Sequence, residues 1–106
     1  MRGHQVQAIS NIVLEIPPGF EDYAWEVEAK GWLSGVVAVI QGRRYTLTVY
    51  DPARLTQDVE DALKGGRVFL ERNLVVVASI TRDRIVSAIQ EIVQAGRVGD
   101  LRPDPG

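Results

Sequence analysis

The feature that most constrains this chain is a strand–helix–strand unit between Tyr45 and Ser79, whose helix carries start and stop signals of its own. Tyr45, Leu47 and Val49 alternate with Thr46, Thr48 and Tyr50, the period of a half-buried strand. Asp51-Pro52 then starts a helix, because aspartate can accept from the orphan N–H groups and proline at the first helical position forfeits no hydrogen bond. Leu55, Val59, Ala62 and Leu63 line one face at helical spacing. Gly65-Gly66 stops the helix, the first glycine being expected to take the left-handed cap conformation. Arg67–Glu71 reads as a short strand, Arg72-Asn73 as a turn, and Leu74–Ser79 as a β-branched strand covered on both faces. Tyr45–Tyr50 and Leu74–Ser79 can therefore be joined by a parallel crossover.

The flanking sequence adds strands before this unit and a helix after it. Residues 5–16 read as one strand with Val6, Ala8, Ile12, Leu14 and Ile16 in phase and a bulge near Ser10-Asn11. Pro17-Pro18-Gly19 breaks it. Tyr23, Trp25, Val27 and Ala29 alternate with Asp22, Glu26, Glu28 and Lys30, which predicts a second strand with one wet face. Ser34-Gly35 and Gln41-Gly42-Arg43-Arg44 look like turns around a short buried strand, Val36–Ile40, and the alternative is one long hairpin whose arms reach Ile40. Thr81 caps a last helix with Ile85, Val86, Ile89, Ile92 and Val93 as its stripe and Gly96 as its stop. Strands first and helices later predict a single α+β domain over residues 1–106, with 1–4 and 98–106 as flexible termini. The expected architecture is a two-layer sandwich: a mostly antiparallel sheet of four to six strands, mixed if the crossover forms, with two helices on one face.

Composition narrows the chemistry. The 106 residues contain no cysteine, so thiolate zinc sites, iron–sulfur clusters and thiol nucleophiles are excluded. His4 is the one candidate base for a serine nucleophile, and it lies in a terminus expected to be mobile, so no hydrolase triad is expected. Phosphate-binding glycine motifs are absent, as are zinc-protease and calcium-loop spacings, so no cofactor and no metal is expected. A net charge of −2, with ten scattered arginines among twelve basic residues, gives no basic track for nucleic acid. The longest apolar runs, Val36–Ile40 and Leu74–Ala78, are far short of the roughly 20 residues of a membrane span. Met1-Arg2-Gly3-His4-Gln5 leads into no signal-peptide core, so the expected location is the cytoplasm.

Three constellations remain as candidates for partner binding. Glu26 and Glu28 form a paired carboxylate on one strand face, read as hydrated. Asp58 and Asp61 form an acidic patch on the outer face of the first long helix, with Arg54–Asp58 and Glu60–Lys64 as i,i+4 pairs. Trp32 beside Tyr50 would anchor an interface if Gly31 turns Trp32 outward, since tryptophan and tyrosine dominate binding hot spots. An enzymatic or small-ligand reading would instead require Glu26, Glu28 or Asp51 to be partly buried beside a pocket.

Three elements resemble small bacterial immunity proteins of polymorphic toxin systems: Tyr23-Ala24-Trp25-Glu26-Val27, the step Val49-Tyr50-Asp51-Pro52 with Leu55, and Leu74–Val77 before the last helix. The resemblance spans residues 22–95, departs from the pattern at Gly35–Gln41, and assigns no site residue. It implies a stoichiometric, non-catalytic inhibitor of a toxin domain. The function expected from the sequence is thus a non-enzymatic interaction domain that binds a protein partner or a second copy of itself as a homodimer. The alternative is a small-ligand-binding domain or a carboxylate-dependent enzyme.

Overall fold

A computed structural model describes residues 5–9 and 12–105, with side chains from Ile12 onward. The chain forms an α+β fold around a five-stranded sheet in the order β1-β2-β3-β4-β5. β1 (Gln5–Ile9) and β2 (Ile12–Ile16) are followed by a 3₁₀ turn at Phe20–Asp22, α1 (Ala24–Lys30), β3 (Trp32–Ile40), β4 (Arg43–Tyr50), α2 (Pro52–Lys64), β5 (Leu74–Val76) and α3 (Arg82–Gln94). The first four strands are antiparallel, and β5 joins β4 in parallel through α2, so the sheet is mixed as the Tyr45–Ser79 unit predicts.

Residues 5–16 are two strands. Gln5–Ile9 and Ile12–Ile16 pair antiparallel, with Ile9 opposite Ile12. The expected bulge at Ser10-Asn11 lies outside the described residues. The long-hairpin reading of residues 31–44 is the one the chain adopts. β3 runs unbroken to Ile40, and Gln41 and Gly42, both at positive φ, turn it into β4. Ser34-Gly35 is a bulge inside that arm, where the register slips by one residue and Gly35 sits at φ 77°.

The largest correction concerns Tyr23–Lys30: Tyr23 is an N-cap and Ala24–Lys30 is a helix. Two periods compete in this stretch. The alternation seen in Tyr23, Trp25, Val27 and Ala29 is overridden by Phe20, Ala24 and Val27, which meet the core at helical spacing while Trp25 is left 70% exposed. Gly31 ends α1 at φ 74°, donating to the Val27 carbonyl as a left-handed cap. Arg67–Glu71 is likewise no strand. At α2 the left-handed residue is Gly66, not Gly65. Arg67 N–H reaches Ala62 and Gly66 N–H reaches Leu63, the paired bonds of a Schellman cap.

One face of the sheet carries the core. Ile12, Leu14 and Ile16 of β2, Leu33, Val36 and Ala38 of β3, and Tyr45, Leu47 and Val49 of β4 pack with Phe20, Val27, Ile80, Ile85 and Ile89. Each fully buried aliphatic side chain there contributes about 1.5–3 kcal/mol. α3 sits on this face. α2 instead meets the sheet through Tyr50 and Trp32, which alternate with Val49 and Leu33 and point away from that core. The segment after α3 is tied back: Asp104 N–H donates to the Arg44 carbonyl, and its carboxylate accepts from Thr46 N–H and Oγ1.

Gly31 also faces Asp51, whose carboxylate lies 2.5–2.7 Å from where a Gly31 Cβ would stand. Gly31→Ala should therefore destabilise the fold by about 2–3 kcal/mol, since it combines a left-handed backbone with a displaced helix cap. Urea denaturation of the two proteins measures the difference.

Candidate functional site

Two regions emerge from the residues that point away from the core. The first is a polar corner where β3 begins, β4 ends and α2 starts. Trp32 and Tyr50 are directly opposite each other in the β3–β4 ladder. Asp51 caps α2 by accepting from Arg54 N–H at 2.8 Å, and this fixes Arg54 one turn into the helix. From there the Arg54 guanidinium donates to Asp58 at 2.9 Å and to the Lys30 carbonyl at 3.1 Å, and its carbon lies 5.8 Å from the centre of the Trp32 ring. Tyr50 completes the network by donating its hydroxyl to the other Asp58 oxygen at 2.8 Å.

The electrostatics follow from this closure. Burial, reinforced by the Asp58 carboxylate at its hydroxyl, pushes the Tyr50 pKa up from 10.0 to about 12. Asp58 moves the other way. Burial alone would raise its carboxyl, but the hydrogen bonds from Arg54 and Tyr50 hold it below the ordinary 3.8. The corner thus keeps a neutral phenol, an ionised carboxylate and a guanidinium bonded to one another. No buried side-chain nitrogen or oxygen among the described residues lacks a partner. Tyr50 is 3% exposed, so its ring serves the interior of this corner and not its surface.

The other sequence candidates lie apart from it. Glu26 and Glu28 are exposed on α1, a helix and not a strand face, and Asp61 is exposed on the outside of α2. Trp32 is 36% exposed with Arg54 over its ring. The structure therefore brings Trp32, Tyr50 and Asp58 together through Arg54, and leaves Glu26, Glu28 and Asp61 on open surface. Among the described residues no group of three histidines, aspartates or glutamates could hold a metal ion, and no helix is long and apolar enough to cross a membrane.

The second region was not legible as a site. Phe69 lies edge-on to Tyr50, with ring centres 6.0 Å apart, and so anchors the segment between α2 and β5. Its neighbours are open to solvent: Val68 is 81% exposed and Leu70 85%. Leu74 and Val76, on the sheet face away from the core, are 37% and 46% exposed, and Leu63 at the end of α2 is exposed as well. The expectation that Leu74–Ser79 is covered on both faces does not hold; only Val75 and Val77 of this segment's valines turn to the core. Beside the strip runs a groove of about 830 Å³, whose lining includes Leu70, Leu74, Val75, Ile92, Leu101 and Arg102. The only sequence signal for this region was Val68-Phe69-Leu70, three β-formers between a glycine cap and a turn.

No known family model matches the chain, and neither does any curated protein or solved structure.

The shifts of Tyr50 and Asp58 fix a pH dependence. Tyr50 binds its proton more tightly in the folded state, so its contribution is complete below about pH 10 and is lost as pH rises from about 10 to about 12. Asp58 has the opposite sign, its contribution being complete above the ordinary carboxylate range and lost as pH falls below about 4. Tyr50→Phe should cost about 1–3 kcal/mol at pH 7 and flatten the alkaline loss. Asp58→Asn should flatten the acid limb. Urea titrations between pH 2 and pH 12 read both.

Proposed function

We propose that this chain is a non-enzymatic protein-interaction domain that binds through the apolar strip formed by Val68, Leu70, Leu74 and Val76, with Leu63 at its margin. The observation that carries the reading is the exposure of Val68 and Leu70 on a segment that Phe69 fixes to the fold. Several large apolar side chains left exposed along one segment and strand of a small domain mark an association site. Anchoring at Phe69 presents the two side chains without the ordering cost a free loop would carry on binding.

The polar corner supports the same reading from the other side. Its phenol, carboxylate and guanidinium are bonded to one another and to the backbone, and Glu26 and Glu28 are exposed on α1. An acid–base reading needs a titratable group tuned by its surroundings and still open to a substrate; the corner's groups face one another, and Glu26 and Glu28 lie on open surface. The narrower, toxin-neutralising form belongs to the same functional class. It loses one of its three supports, because Tyr23–Val27 is helical.

The test is the double variant Val68→Asp, Leu70→Asp. Both positions are exposed, so thermal stability should stay within about 0.5 kcal/mol of the parent. Association, whether with a partner captured from the protein's host or with itself in sedimentation, should weaken at least tenfold, as at hot-spot positions. An unchanged partner stoichiometry and affinity in the double variant would overturn the assignment of this surface.

A further inference from the structure

We infer that the occupant of this surface is a second copy of the chain, joined by antiparallel pairing of β5 with β5 of its partner about a two-fold axis through Val75. The inference rests on the interaction reading above and adds the partner and the register.

The argument begins with the backbone of β5. Asn73 accepts from Thr48 N–H and Val77 donates to the Tyr50 carbonyl, so the odd-numbered residues bond to β4. N–H and C=O groups alternate sides along a strand, and those of Leu74 and Val76 therefore point to the free edge. β5 is the last strand of the sheet on this side. Neither a charge nor a proline blunts it, for Leu74-Val75-Val76 contains none. Its shortness is a defence it keeps.

A second copy of the same three residues satisfies that edge. In the register that places Val75 on the axis, Leu74 faces Val76 of the partner and Val76 faces Leu74. Both are hydrogen-bonded pairs, so all four free groups of each strand find partners. The same register sets the two half-exposed apolar side chains of one protomer against those of the other, on the face away from the core. Slipping it by one residue would set the outward groups of one strand against the inward groups of the other. The contact is isologous, which lets the assembly close at two copies.

With Val68 and Leu70 81% and 85% exposed and Leu74 and Val76 37% and 46%, the four residues offer on the order of 400 Å² per protomer, or on the order of 800 Å² for a pair, beside the roughly 1,000 Å² of a specific interface.

Sedimentation equilibrium of the full chain from about 1 μM to 1 mM tests the state, and Val75→Cys tests the register. The chain has no cysteine of its own, and residues opposed across a non-hydrogen-bonded antiparallel pair are close enough to bridge. The expected result is a monomer–dimer equilibrium, a covalent dimer of Val75→Cys on mild oxidation, and none from Glu28→Cys on α1. Val76→Pro, which removes only an outward N–H, should weaken the dimer at least tenfold with an unchanged circular dichroism spectrum. A monomer throughout the range overturns the inference and leaves the interaction reading to be decided by the capture experiment. A dimer that Val75→Cys does not cross-link, or that Val76→Pro leaves intact, overturns the register. If Val68→Asp, Leu70→Asp also fails to weaken that dimer, the surface assignment falls with it.

Discussion

The contact between Gly31 and Asp51 is the constraint on which the rest of the fold depends. Asp51 N–H donates to the Gly31 carbonyl, extending the β3–β4 ladder by one bond, while the Asp51 carboxylate occupies the space a Gly31 side chain would need. One glycine thus ends α1, starts β3 and admits the cap of α2. Each role alone tolerates substitution; together they require a residue with no Cβ and a positive φ. The pairing of Trp32 with Tyr50 and the reach of Arg54 from α2 to the Lys30 carbonyl both follow from this closure.

Legibility of the sequence divides along the same line. Elements with a chemical signature at an end were read correctly: α2 from Asp51-Pro52, α3 from Thr81 and Gly96, the β4–α2–β5 crossover from two patterned strands around a capped helix. Tyr23–Lys30 was misread because alternation over eight residues fits a two-residue period nearly as well as a short helix, and the helix is specified by packing of Phe20, Ala24 and Val27. Gly31 terminates the helix, but a glycine before a tryptophan reads equally well as a strand irregularity.

The polar corner was half legible. Trp32, Tyr50 and Asp58 are neighbours, as spacing and strand pairing suggest, yet spacing does not say which way a network points. The Tyr50 hydroxyl and both Asp58 oxygens are turned inward onto one another and onto Arg54. Residue types common in interfaces here brace a junction. The strip on Val68 and Leu70 was illegible for the opposite reason, since its residues are ordinary core formers and nothing local reveals that no strand lies beside them.

That last point generalises to α2. Its stripe of Leu55, Val59, Ala62 and Leu63 has the period of a buried helix face, but only Ala62 is buried, Leu55 and Val59 are half-covered, and Leu63 is open. Amphipathicity states that a face is apolar; it does not state what covers it. In this fold the residues that α2 meets on the sheet are concentrated at Tyr50 and Trp32, at one end of the strands. The helix is held there by a polar bracket more than by its own stripe. A crossover helix fixed at one end leaves the strand it leads to uncovered on that face, and Leu74 and Val76 are the residues so exposed. The polar bracket on Tyr50 and Trp32 and the open side chains of Leu74 and Val76 thus lie on the same face of the sheet, the one away from the core.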